Sequence, residues 1–195
     1  MTSEGPDTAK RRRRGRLIAL AILTVCAIPF VAAVLAYNFF PPTGRLNYGE
    51  LVEAKKLAAE GLKRINGESF SLDELHGRWV LLQADRADCD PACREKLFDM
   101  RQARLAQGKD RDRVERLWLL LDDGRPPREI AWLCDGVVIV QGGAAFAAGP
   151  LGADVRDHIF LVDPLGRLML RFPKDADPKR MIKDLERLLR VSRIG

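Results

Sequence analysis

The chain has 195 residues, 31% of them charged, with a formal charge of +6 and a pI near 9.4. That length allows one domain with a real core beyond its apolar N-terminal run and excludes two. The basicity does not describe a nucleic-acid surface. Six of the 33 basic residues crowd into Lys10–Arg14 and Arg16, opposed there only by Glu4 and Asp7, while the rest of the chain holds 27 basic and 25 acidic residues.

After this basic tail (residues 1–16), Leu17 to Phe40 is a run of 24 residues without a charge. As a helix it spans about 36 Å, enough to cross a bilayer core of roughly 30 Å. Pro29 is tolerated in such a helix, and Tyr37, Phe39 and Phe40 suit an interfacial aromatic belt. The cations before the run hold the N-terminus in the cytoplasm and send the C-terminal part outside. A cleaved signal peptide is the rival reading, with Val34-Leu35-Ala36 as its processing site, but its apolar region is shorter than this one.

Pro41-Pro42-Thr43-Gly44 stops the helix, and residues 41–66 read as a polar linker with a short helical piece around Tyr48–Leu62. A domain over residues 67–195 follows. Ser71 and Glu74 form a capping box for one or two helical turns ending at Gly77. Trp79–Ala84 is an apolar run expected of a strand buried on both faces. A loop with Cys89 leads to Pro91, preset for the first turn of a helix that runs to about Gln107. Val114–Leu121 is the next strand, Pro127–Cys134 a short helix, and Val137–Val140 a further strand. A glycine- and alanine-rich loop at 142–153 precedes a hairpin, His158–Val162 and Leu168–Phe172, turning at Asp163-Pro164-Leu165-Gly166. Asp177 caps a last helix, Pro178–Arg190, with Met181, Ile182, Leu185, Leu188 and Leu189 on its apolar face. Strand, helix, strand, helix, hairpin and helix make an α/β, thioredoxin-like domain behind one transmembrane helix.

The chemistry concentrates in Cys89 and Cys93. Four residues apart at a helix start, they share one face, and their Cα atoms fall within disulfide range. The helix N-terminus favours thiolate over thiol. Arg86 and Arg94 add to that effect, and Asp88 and Asp90 oppose it. Cys89 is expected to be the more exposed, attacking thiol and Cys93 the resolving one. A structural bridge is the plainer alternative, although it closes so short a loop that it constrains the unfolded chain little. Cys26 in the apolar run reads as a small filler, and Cys134 as the odd thiol without a partner. His76, in a turn before a strand, reads as a surface residue.

Residues 67–191 resemble the Sco family of cytochrome oxidase assembly proteins. The likeness rests on Gly67-Glu68-Ser69-Phe70-Ser71-Leu72, Gly77-Arg78-Trp79-Val80-Leu81-Leu82, Cys89-x-x-x-Cys93 and Asp157-His158-Ile159-Phe160-Leu161-Val162-Asp163-Pro164-Leu165-Gly166. The chain is also similar to a bacterial group of membrane-anchored Sco-like proteins that keep Asn47-Tyr48-Gly49-Glu50-Leu51 after the anchor. The resemblance implies a thioredoxin-like domain on the periplasmic side of a bacterial inner membrane. It also implies a copper or thiol partner, first the oxidase subunit that carries the copper centre, and Cu(I) held by Cys89, Cys93 and His158. Two thiolates and an imidazole are a soft donor set suited to Cu(I). The chain departs from the family in Cys89-Asp90-Pro91-Ala92-Cys93-Arg94, where proline usually follows each cysteine, and in Asp85-Arg86-Ala87-Asp88, where aromatic residues are usual. Three readings follow: a copper-binding assembly factor, a membrane-tethered thiol–disulfide oxidoreductase without metal, and a redox-inert docking domain with a structural bridge.

Overall fold

A computed structural model describes residues 6–39, 47–57, 61–144, 149, 151–192 and 194. It divides the chain into two units, Met1–Leu46 and Asn47–Gly195. The first unit carries one helix, α1 (Pro6–Phe39), which runs unbroken past Pro29. It begins well before the expected Leu17, because arginine and lysine are good helix formers and nothing in the basic tail stops the helix. Within it, Arg14–Ala36 has a mean hydropathy of 2.8, long and apolar enough to cross a membrane. Two of its polar side chains bond back to the helix: Thr24 Oγ1 donates to the Leu20 carbonyl and Asn38 Nδ2 to that of Val34. The expected stop at Pro41–Gly44 lies outside the described residues.

The second unit is built on a seven-stranded mixed sheet in the order β1-β7-β6-β3-β4-β5-β2. Its strands are β1 (Glu50–Leu51), β2 (Lys63–Arg64), β3 (Trp79–Asp85), β4 (Val114–Leu120), β5 (Val137–Gln141), β6 (Phe160–Val162) and β7 (Leu168–Arg171). As expected, β3 and β4 pair in parallel, and α2 (Pro91–Ala106) crosses between them. β5 adds a third parallel strand, and β6 and β7 return as the antiparallel hairpin. Two shorter and later helices, α3 (Ala131–Cys134) and α4 (Pro178–Val191), complete the unit.

All seven residues of β3 are buried, as a strand covered on both faces requires. Alternation then sorts them. Val80, Leu82 and Ala84 face one core with Leu117, Leu119 and Phe160, closed by Leu57, Leu62, Phe70 and Val155. Trp79 and Leu81 face the other, where Met100 and Ala103 of α2 and Met181, Leu185 and Leu189 of α4 close it. Burying each of those large apolar side chains contributes about 1.5–3 kcal/mol. α4 starts as its sequence dictates, with Asp177 accepting from the Lys179 N–H at 2.9 Å and Pro178 in the first turn.

The linker expectation needs correcting at its C-terminal end. The described residues between Tyr48 and Leu62 form no helix; β1 within that stretch and β2 just after it extend the two edges of the sheet. Tertiary partners take the hydrogen bonds a helix would have used. The Val52 N–H donates to the Met169 carbonyl and the Leu57 N–H to that of Gly166, while Leu57 and Leu62 are buried. Asp184 of α4 is the anchor, its Oδ2 accepting the Tyr48 N–H at 2.6 Å and the Gly49 N–H at 2.9 Å. Glycine at 49 lets the Phe172 ring pack close, since an added Cβ would lie 3.2 Å from it and the ring would have to give by a few tenths of an ångström.

Asp184→Ala should therefore leave two N–H groups unpaired beside α4 and cost about 2–4 kcal/mol. A lowered urea midpoint, with faster proteolysis inside residues 47–57, would bear this out. An unchanged midpoint would show that the segment is held by its apolar contacts alone.

Candidate redox site

Gln83 and Asp85 are the last two residues of β3 on the α2 side, and both are buried. Asp85 is 1% exposed, so its charge requires partners. It receives Lys96 Nζ of α2 at 2.9 Å, Arg156 Nε at 2.7 Å and the Arg86 N–H at 2.9 Å. Arg156 reaches on to Asp90 Oδ2 at 3.0 Å. Asp90 in turn caps α2, its Oδ1 accepting the Cys93 N–H at 2.9 Å. That hydrogen bond, aided by the charges of Arg156 and Lys96, holds the Asp90 carboxyl below the usual carboxylate range.

Cys89 precedes the cap and Cys93 stands in the first turn, with Pro91 between them where the sequence places it. The two cysteines form a disulfide with Cα atoms 5.1 Å apart. Cys89 has φ 45°, a left-handed conformation costly to residues other than glycine, and its carbonyl accepts from Arg94 Nε at 3.0 Å. Both cysteines are wholly buried, against the expectation of an exposed Cys89. The reason is a cover. Ala87, Leu97, Trp118, Leu120, Ile130 and Leu133 make one apolar cluster with them. Asp122 Oδ1 fastens the covering loop by accepting from the Ala87 N–H, and only glycine fits at 124, where an added Cβ would lie 2.6 Å from the Ala87 Cβ.

His158 stands at the head of β6, with both ring nitrogens engaged. Nδ1 lies 2.7 Å from the Phe172 carbonyl and Nε2 lies 3.0 Å from Asp154 Oδ2. Both partners are acceptors, so each ring nitrogen faces a protein oxygen and neither is open to a metal in this arrangement. The hydrogen bond to His158, with Arg171 nearby, holds Asp154 below its ordinary value. Among the described residues, no group of three or more His, Cys, Asp or Glu side chains converges to hold a metal. The fold thus unites Cys89 with Cys93 and leaves His158 committed elsewhere. The two sulfurs fit a soft metal once reduced, but the three-residue set does not stand assembled.

Cys134 is half-buried and unpaired among the described residues, and burial pushes its thiol up against the opposing pull of Arg116. His76 is a surface residue beside Asp73, as expected. The sequence reading missed Gln83, Asp85, Asp154 and Arg156. A signal existed for the first two: they are the only polar residues of an apolar strand, at the C-terminal end where open α/β sheets gather their sites. Arg156 and Asp154 gave none, because their partners lie 66 or more residues away or across a loop.

Residues 79–192 match the family described as the transmembrane-like, thioredoxin-like, C-terminal domain. The chain belongs to this family. Solved structures share the fold of this family member at low identity. Yeast Sco1 with copper bound is 14% identical with a TM-score of 0.54, covering 71% of this chain and 91% of that one. Apo Sco1 from Thermus thermophilus is 18% identical with a TM-score of 0.52, covering 74% and 99%. Bradyrhizobium japonicum ScoI with copper bound is 20% identical with a TM-score of 0.50, covering 70% and 99%. No curated protein matches the sequence significantly.

Beside the helix start lies a cleft of about 100 Å³, lined by Ala92, Lys96, Asp99, Arg156 and Lys174 among others. Burial, with the charge of Glu95, raises the Asp99 carboxyl to about 6. Between pH 4 and 6 the folded form therefore keeps a proton that the unfolded chain has lost, and stability falls as pH rises through that window. Asp99→Asn should remove this fall and raise stability at pH 7 by up to about 3 kcal/mol, with little change at pH 3. Denaturant unfolding across pH 3–8 reads it directly. A variant as pH-dependent as the wild type would relieve Asp99 of the role.

Proposed function

We propose that the protein is a membrane-anchored, Sco-like assembly factor for a respiratory cytochrome c oxidase, acting by thiol–disulfide exchange on the oxidase copper centre or a similar copper or thiol protein. The observation that carries this reading is the Cys89–Cys93 pair at the capped start of α2, on the fold of the Sco structures. The basic residues 1–16 stay in the cytoplasm, residues 17–40 cross the bacterial inner membrane, and the thioredoxin-like domain works in the periplasm.

In the reduced form one cysteine thiolate attacks the partner's disulfide, forming a mixed disulfide and expelling one partner thiolate. The second cysteine attacks that mixed bond, closing Cys89–Cys93 and releasing the other. Two electrons pass to the partner, whose thiolates take protons from solvent, and a separate dithiol reductant restores the pair. Because the bridge is buried, exchange requires the covering segment at 122–134 to lift when the partner docks.

Carriage of Cu(I) as cargo is a second reading, favoured by the copper-bound structures that share the fold. It requires reduced Cys89 and Cys93, and His158 released from Asp154 and Phe172.

Wild-type protein should reduce an oxidised copper-centre domain of the oxidase, and Cys89→Ser or Cys93→Ser should abolish this. His158→Ala should spare the exchange; if the second reading holds, it should weaken Cu(I) binding by about tenfold or more against a competing chelator. A bridge that stays oxidised in excess dithiothreitol while the protein is folded would leave only a structural disulfide. For the topology, a reporter that works only outside the cytoplasm should be active when fused after Gly195. An inactive reporter, or a mature protein beginning near Tyr37, would remove the anchored arrangement.

A further inference from the structure

Gln83 lies beneath the bridge with nothing exposed, and its Nε2 donates toward Cys93 Sγ at 3.5 Å. A disulfide sulfur is a poor acceptor, so this contact satisfies the amide weakly. Its Oε1, also buried, accepts no hydrogen bond among the described residues. Trp118 pairs in register with Gln83 on the neighbouring strand, so both side chains share a sheet face, and its buried Nε1–H is likewise without a partner among those residues. An amide with one weak bond and one missing bond is an expensive thing to keep in an apolar pocket. The oxidised state gives it no reason to be there.

The reduced state does. We propose that Gln83 tunes the Cys89–Cys93 couple by hydrogen-bonding the reduced Cys93 sulfur, so that the fold favours the dithiol. A thiolate at Cys93 would accept a charge-assisted hydrogen bond from Nε2 where the disulfide accepts only a weak one. A thiol would donate its proton to Oε1 after a half-turn of the amide, filling the acceptor that stands empty. The gain accompanies a balanced step: a dithiol reductant is oxidised to its disulfide, the Cys89–Cys93 bond breaks, and two electrons and two protons arrive on the cysteines. Placing an amide here, instead of a carboxylate, serves both protonation states of the sulfur without adding a buried charge. The assignment rests on the exchange function proposed above but is measured independently of any partner.

The test uses the full chain in detergent, equilibrated with mixtures of reduced and oxidised dithiothreitol and read by thiol alkylation. Gln83→Leu should shift the equilibrium about three- to tenfold toward the disulfide, the net worth of one such hydrogen bond. Thermal unfolding should separate tuning from plain packing: the oxidised variant should melt at the wild-type temperature or above, having lost an unpaired oxygen, and the reduced variant below it. Gln83→Met, unbranched and closer in shape, repeats the measurement if the leucine variant does not fold. An equilibrium unchanged within about twofold, or equal destabilisation of both redox forms, would overturn the proposal. If dithiothreitol cannot open the wild-type bridge, the exchange function fails. The melting comparison, with a phosphine as reductant, then still decides the role of Gln83.

Discussion

The carboxylate of Asp85 is buried at the last residue of the central strand, and the site is assembled around the need to compensate it. An unpaired charge there would cost several kcal/mol, so the fold must bring cations to it from elsewhere. Lys96 comes from the second turn of α2 and Arg156 from the turn before β6. Those two contacts join three pieces of chain that β-pairing alone would leave loosely related. Arg156 then passes the constraint to Asp90, which caps α2 through the Cys93 N–H. The cysteine pair is thus placed by a chain of charge-assisted hydrogen bonds that starts at one oxygen pair on β3.

This arrangement sets two electrostatic influences against each other at the sulfurs. The helix N-terminus and the nearby cations favour thiolate, while the capping carboxylate of Asp90 opposes it. A proline directly after each cysteine would leave no residue at 90 to supply that cap. The departure Cys89-Asp90-Pro91 therefore changes the local field as well as the motif. It moves proline to the first helical position and puts an anion at the cap. The left-handed Cys89 is the backbone's concession to this geometry, since the chain must turn sharply between the end of β3 and the cap.

The site is also closed to solvent. Ile130, Leu133 and the loop fastened by Asp122 close over the bridge, and the Gln83 amide lies beneath it. In such surroundings small differences in hydrogen bonding between the two redox states are felt strongly, because water cannot level them.

The local grammar of the chain was sufficient for the apolar helix, the buried β3 run, Pro91 at the start of α2, the Asp163–Gly166 turn, and the Asp177 cap with the apolar stripe of α4. Each depends on neighbours within a few residues, through periodicity, capping or preset φ. The Cys89–Cys93 pairing is equally local, although it is the left-handed Cys89 turning into the Asp90 cap, not a helical turn, that brings the sulfurs together. What tertiary structure alone decided has long-range partners. Glu50–Leu51 and Lys63–Arg64 became sheet edges because β7 and β5 offer them free edges, and Asp184, 135 or more residues away, takes the Tyr48 and Gly49 N–H groups. Cys89 became buried because α3 and the Asp122 loop pack on it. His158 was turned to Asp154 and Phe172, because folding brings a carbonyl to one ring nitrogen and a carboxylate to the other. A residue's type announces the chemistry it is able to do, but which groups saturate or free it is settled only by segments that meet on folding, and no spacing in the sequence encodes those meetings.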